Sequence, residues 1–264
     1  MTQEERLIEL EELVRSQGKV TLEYICQQYQ ISYDSARRDL VKLTKIPGII
    51  RIRGGAILSE KRMSLSYSQR SEFNPVKEVL ARRALPMLNE HDILFLDAGT
   101  TIAALAHHLQ TPTTVITNSL EVLNEISGKE NIKKCVLGGM FDEFSHTILG
   151  NITIEQIKRY QADKTFIGVS ALSEAGITTD TELDALLKIA MAQQSQRVIC
   201  IATFSKFNTQ LMHQSCQWSD IDCVITDKRP PANILKCIEE NEVELIVVAD
   251  ESASADSGCL PLSN

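Results

Sequence analysis

Two sets of residues in this chain have the types and spacing to hold an anion. The first is the run Ser32-Tyr33-Asp34-Ser35-Ala36-Arg37-Arg38, with Lys42 and Lys45 beyond it and Arg51, Arg53 and Gly54 further on. Adjacent guanidinium groups suit the phosphates and guanine edges of a nucleic acid, which accept paired hydrogen bonds. The second is spread over the later two thirds of the chain. Asp97, Gly99, Thr100 and Thr101 follow one apolar run, Thr117-Asn118-Ser119 a second, and Gly138-Gly139 a third, while Ser170, Thr179, Asp184, Lys188 and Lys206 complete the set. Hydroxyls, carboxylates, cations and glycines that let backbone N–H groups approach a ligand are the chemistry of binding a polyol phosphate. Each such residue is also a common cap or turn former, so only their convergence carries the argument.

The first set needs a rigid presenter, and residues 20–39 spell one. Thr21 is placed to cap a helix whose apolar positions Leu22, Ile25, Cys26 and Tyr29 recur at helical spacing. Gln30 and Ile31 then turn the chain, and Ser32 caps a second helix with Ala36, Leu40 and Leu43 inward. Tyr33, Asp34, Ser35, Arg37 and Arg38 fall off that stripe and are predicted to face a major groove, with Lys42 and Lys45 extending the basic side. Residues 46–58 alternate apolar and basic side chains around paired glycines, the pattern of a β-wing that sets Arg51 or Arg53 on the phosphate backbone beside Gly54. Ahead of this, residues 2–17 read as an amphipathic helix with Leu7, Ile8, Leu10, Leu13 and Val14 inward, opened by the capping-box pair Thr2 and Glu5.

At 264 residues the chain has room for this small domain and a larger one. Its 43% hydrophobic and 23% charged residues describe an ordinary globular protein. A net charge of −8 would argue against a nucleic-acid partner, but it is unevenly spread. Between residues 30 and 58, Arg37, Arg38, Lys42, Lys45, Arg51 and Arg53 face only Asp34 and Asp39. Screening makes that local excess the relevant quantity. The seven cysteines are scattered without a C-x-x-C pair, so neither a metal site nor a disulfide framework is indicated. No leader and no membrane-length apolar run is legible, and the expectation is a cytoplasmic protein with no membrane partner.

The expected divisions are a winged helix-turn-helix over 1–58, a linker over 59–75, an effector-sensing α/β domain over 76–250 and a disordered tail over 251–264. Within the larger domain, helical stretches near 76–88, 101–109, 120–126, 152–160, 182–194 and 231–240 alternate with solid apolar runs at 93–96, 114–117, 135–137, 165–168, 198–202, 223–226 and 245–248. Runs apolar on both faces belong to a sheet covered on both sides, hence a doubly wound, Rossmann-like parallel fold. Ligands in such folds sit beyond the carboxyl ends of the strands, where the second set lies. Asp97 is then expected to accept ligand hydroxyls. A rival reading casts Asp97, Asp184 or Lys206 as the base and cation of an isomerase, but nothing in the sequence brings them together.

These motifs, in this order, resemble those of DeoR-family transcriptional regulators over nearly the whole chain. The resemblance is carried by Arg37-Arg38-Asp39-Leu40, Arg53-Gly54-Gly55-Ala56, Asp97-x-Gly99-Thr100-Thr101, Thr117-Asn118-Ser119, Gly138-Gly139, Gly176-x-Thr178-Thr179 and Ser205-Lys206-Phe207. It implies a winged helix-turn-helix joined to an effector domain similar to sugar-phosphate isomerases. It also implies a homo-oligomer on double-stranded operator DNA that senses a phosphorylated sugar, represses a carbohydrate operon, needs no cofactor and is not an enzyme. Thr203 departs from the family, which commonly has aspartate there. Phe204 replaces a small polar residue, and Asp184 stands where glutamate is usual.

Overall fold

The computed structural model of the chain describes residues 2–46, 49–58 and 74–248. These belong to two compact units, 1–63 and 64–264. Of the linker expected over 59–75, residues 59–73 lie outside the described residues, as does the tail at 251–264, while Asn74 and Pro75 cap and open a helix.

In the first unit α1 spans Gln3–Gln17, and Thr2 with Glu5 closes its capping box through bonds of 3.3 and 2.7 Å. Gly18, at φ +79°, ends it in a conformation that costs glycine little. Strand β1 (Lys19–Thr21) leads into α2 (Leu22–Tyr29), and α3 (Tyr33–Leu43) follows. Thr21 and Ser32 accept hydrogen bonds from the backbones of Tyr24 and Ser35, so both helices start where the sequence placed them. The wing is β2 (Ile49–Ile52) and β3 (Gly55–Leu58), and β1 joins β3 as a third antiparallel strand that the sequence reading did not contain. A Cβ on Gly55 would stand 2.2 Å from the carbonyl oxygen of Val20, so glycine is what lets β3 lie against β1. Leu10, Val14, Ile25, Leu40 and Leu43 close the core. Ile8, expected inward, is 61% exposed. It sits two positions from Leu10, about 200° around the helix, and so on the opposite face.

The second unit is built on seven parallel strands in the order β15-β14-β12-β9-β4-β5-β6. They are β4 (Ile93–Leu96), β5 (Thr113–Thr117), β6 (Ile132–Val136), β9 (Ala162–Gly168), β12 (Ser195–Ala202), β14 (Cys223–Thr226) and β15 (Glu244–Val247). All seven apolar runs of the sequence lie in this sheet or at its strand ends. Along β4, Leu94 and Leu96 enter one core with Leu105, Val115 and Phe166, while Phe95 enters another with Ile116, Leu187 and Met191. Covering both faces are α4 (Pro75–Ala84), α5 (Thr100–His108), α6 (Leu120–Ile126), α7 (Asn151–Ile157), α8 (Glu182–Gln193) and α9 (Ala232–Glu240). Helix α4 begins earlier than expected, with Asn74 as its cap, and gives way to a 3-10 turn at Leu85–Met87, where Pro86 has no N–H to continue it.

Two further pieces went unread in the sequence. Strands β7 (Met140–Asp142) and β8 (Thr147–Leu149) form a hairpin, and β10 (Ala171–Ser173), β11 (Gly176–Thr179) and β13 (His213–Gln214) form a small antiparallel sheet. The motif Gly176-x-Thr178-Thr179 is therefore a strand. The main sheet grows outward from β4 in one direction through β5 and β6, and in the other through β9 and β12. The order thus reverses between β4 and β9, and a crevice is expected at their carboxyl ends.

Candidate functional site

On the first unit, Asp34, Ser35, Arg37, Arg38, Lys42 and Lys45 of α3 and its extension share an open groove with Arg51 of the wing and with Gln3 and Arg6 of α1. Tyr33, Arg37, Arg38, Lys42, Arg51 and Arg53 are all exposed. Arg38 donates to the Asp34 carbonyl and the Ser35 hydroxyl, both at 3.4 Å, which steers it along the helix toward its N-terminus. Gly54 takes φ +82° at the wing turn, and its carbonyl accepts from Leu22 N–H at 2.8 Å, tying the turn to the start of α2. Thr21 and Ser32 spend their hydroxyls as caps. The sequence reading missed Gln3 and Arg6, because it treated α1 only as core.

The second unit has a cavity of about 390 Å³ at the predicted crevice. Gly99, Thr100 and Thr101 open α5 beyond β4 and line it together with Gly168 and Ser170 at the end of β9. Gly99 adopts φ +138° and leaves α5 without a side-chain cap, so its first-turn N–H groups have no hydroxyl or carboxylate acceptor from the cap residue. Asp180 and Thr181 lead into α8, Asp184 and Lys188 project from its first two turns, and Thr203, Ser205 and Lys206 follow the end of β12. The β7–β8 hairpin adds Asp142, Phe144, Ser145 and Thr147, and Lys77 comes from the first turn of α4. Neither the hairpin nor the α4 residues carried a recognisable signal in the sequence.

Lys188 is buried, and its ammonium lies 2.5 Å from Asp97 Oδ2 and 3.3 Å from Asp184 Oδ1. Burial alone would pull its pKa down, but the two carboxylates outweigh that and hold it above the ordinary lysine value, firmly charged. Asp97 is fully buried, and burial pushes its carboxyl up against the opposing pull of Lys188. Oδ2 also accepts Gly168 N–H at 3.2 Å, while Oδ1 is buried with no hydrogen-bond partner. Asp97 is not on the cavity wall. The expectation that it meets ligand hydroxyls is corrected accordingly: it reaches the cavity only through Lys188.

The other strand-tip residues also work behind the wall. Thr117 donates to the Leu96 carbonyl at 2.7 Å and accepts Ser119 N–H at 3.0 Å. Asn118 fixes the hairpin through Ile148, exchanging a backbone bond of 2.8 Å and a side-chain bond of 3.3 Å. Ser119 caps α6. Gly138 pairs with Gln156 and Thr153, and a Cβ on Gly139 would stand 2.2 Å from Thr153 Oγ1, so this pair admits α7. Thr179 donates to the Thr181 carbonyl at 2.9 Å. Among the effector candidates, Gly99, Thr100, Thr101, Ser170, Asp184, Lys188 and Lys206 line the cavity, and the remainder shape it.

Among the described residues no cluster of His, Cys, Asp and Glu could hold a metal ion, and no helix is long and apolar enough to cross a membrane. Trp218 donates to the Ser173 carbonyl at 3.0 Å and packs in the second core with Cys216.

A winged helix-turn-helix with a basic groove, followed by a parallel-sheet unit with a polar cavity at its switch point, defines a ligand-responsive transcriptional regulator. Residues 6–62 match the family described as DeoR-like helix-turn-helix domain, and residues 73–228 match the DeoR C terminal sensor domain. The chain belongs to the DeoR family. It is 38% identical to the HTH-type transcriptional repressor GlcR of Bacillus subtilis (strain 168) over 95% of this chain and 98% of that protein. It is 28% identical to the glycerol-3-phosphate regulon repressor of Escherichia coli (strain K12) over 93% and 99%, and 29% identical to the L-fucose operon activator of Haemophilus influenzae over 89% and 96%. Among solved structures, ribose 5-phosphate isomerase A of Methanocaldococcus jannaschii overlaps 50% of this chain and 54% of its own at 16% identity, with a TM-score of 0.37. The architecture described above stands on its strand order, not on that overlap.

Proposed function

We propose that the chain represses a carbohydrate-utilisation operon and releases its operator when a small phosphorylated sugar enters the cavity of the second unit. The observation that carries this reading is the cavity itself. Its volume of about 390 Å³ suits a small metabolite. The N-terminus of α5 and the cations Lys188 and Lys206 suit a phosphate, and the hydroxyls and carboxylates of Ser170, Asp180 and Asp184 suit sugar hydroxyls. Relatives named for a glycerol-3-phosphate regulon and an L-fucose operon support a carbohydrate-linked role. In the first unit, Arg37 and Arg38 serve base and phosphate contact, Tyr33, Asp34, Ser35 and Lys42 flank them, and Arg51, Arg53 and Gly54 serve the wing. Thr21 and Ser32 hold the two helix starts against the backbone. A homo-oligomer follows from the two-fold symmetry such operators usually carry. A cytoplasmic location follows from the DNA partner.

The test is an electrophoretic shift of DNA from upstream of the regulated genes, titrated with a panel of phosphorylated sugars alongside the parent sugars. One phosphorylated member should raise the melting temperature and release the DNA, and its dephosphorylated parent should do neither. Release by the parent sugar alone, or by no member of the panel, would overturn the proposal.

A further inference from the structure

Helices α1 and α3 meet at Asp39, whose side chain is fully buried. Arg6 donates to its Oδ2 through Nε and Nη2, both at 3.0 Å. Gln3 donates to its Oδ1 through Nε2 at 2.6 Å, and the other end of the same carboxamide accepts from Lys42 Nζ at 2.5 Å. Chemistry fixes that orientation, because a carboxylate only accepts and an ammonium only donates. The amide nitrogen must face Asp39, and the oxygen must face Lys42. The four side chains form a relay from a buried ion pair to an exposed cation in the basic groove, where Gln3, Arg6 and Lys42 stand beside Arg37 and Arg38.

A free lysine side chain samples many rotamers, and ordering it on a phosphate costs affinity. Held by Gln3, Lys42 is ordered before DNA arrives, and its ammonium has two further protons to offer. We infer that Gln3, on the first helix, is a positioning residue for DNA binding: it presets Lys42 for a backbone phosphate, with Asp39 as the buried anchor. This rests on the assignment of Lys42 to the DNA face.

The experiment is a double-variant cycle on the full chain, reading affinity for a mixed-sequence duplex of about 30 base pairs between 50 and 200 mM salt. K42A alone should lower the slope of log K against log salt by about 0.9, the signature of one lost phosphate contact on B-DNA. Should that slope stay unchanged, the assignment of Lys42 fails, separately from the role of Gln3. Q3A should weaken binding about two- to tenfold, as expected for ordering one long side chain, with little change in slope. In the K42A background, Q3A should have no further effect. An undiminished loss there, or unchanged affinity of Q3A alone, would overturn the inference, since a purely structural role of Gln3 would act equally in both backgrounds. Should Q3A lose helical circular dichroism, Gln3→Met keeps the stem without donor or acceptor and is judged by the same cycle.

Discussion

Replacing Lys188 by methionine keeps the aliphatic stem and removes the charge that compensates Asp97. The carboxylate would then be left with backbone N–H groups, among them Gly168 at 3.2 Å, in a fully buried site. Its least costly response is to take up a proton. From an unfolded value near 3.9, that costs about 4 kcal/mol at pH 7 and about 1.5 kcal/mol at pH 5, at about 1.36 kcal/mol per pH unit. The first figure agrees with the roughly 3–5 kcal/mol found when one partner of a buried ion pair is deleted. In K188M the folded pKa of Asp97 is raised, so the sign is fixed: stability recovers as pH falls toward the unfolded value and is lost as pH rises.

Trp218 is the chain's single tryptophan and is buried in the second unit, so its fluorescence reports on that unit alone. At about 2–4 °C per kcal/mol for a unit of this size, K188M should melt roughly 8–16 °C below wild type at pH 7, and only a few degrees below at pH 5. D97N/K188M, with no charge to bury, should recover much of the loss at pH 7. An equal deficit at both pH values, or a double variant no better than K188M, would refute the buried-charge reasoning.

Two other outcomes follow from the same unit. Gly176 holds φ +96°, and a Cβ there would stand 2.4 Å from the Cys216 carbonyl. Gly176→Ala should cost at least about 1–2 kcal/mol from the left-handed backbone alone, whereas Gly128→Ala, with nothing within 4 Å, should leave the Trp218 melting temperature unchanged. Burial pushes the Cys216 thiol up to about 12 from an ordinary 9.0. The raised folded value means this contribution is intact below pH 9 and is lost as pH rises toward 12, so melting temperature should fall across that range, with a shallower slope in Cys216→Ala.

The parallel sheet was legible because a strand buried on both faces must be apolar without interruption, as Ile93-Leu-Phe-Leu96 and Val198-Ile-Cys-Ile-Ala202 are. The helix starts at Thr21 and Ser32 were legible because a cap acts locally. The hairpin at 140–149 was not, since two three-residue strands around a polar turn leave no period to detect. That omission hid Asp142, Ser145 and Thr147 from the cavity wall. Thr117-Asn118-Ser119 and Gly138-Gly139 show the converse. Their composition matches a ligand loop, yet the backbone turns their polar atoms toward Leu96, Ile148 and Gln156. Composition at a strand tip identifies the edge of the sheet, and only the fold decides which side chains point into the crevice.

The cavity collects the residue types of an isomerase, and their pairing bears on how the proposed sugar phosphate would be held without being consumed. Proton abstraction beside a carbonyl needs a base whose lone pair is available to the substrate. Asp184 is 3.3 Å from Lys188, and Asp97 lies behind the wall on that same lysine. Asp142 accepts the Ser145 N–H at 2.8 Å and its hydroxyl as well, and Asp180 is itself engaged. Thr203 offers a hydroxyl 3.0 Å from that of Ser205. Under the proposed function, groups committed in this way would bind ligand without favouring a transition state, and uniform binding of that kind supplies affinity without lowering a barrier. For a sensor that is the useful balance, because occupancy then reports the concentration of the metabolite and bound ligand is not destroyed by the act of reading it.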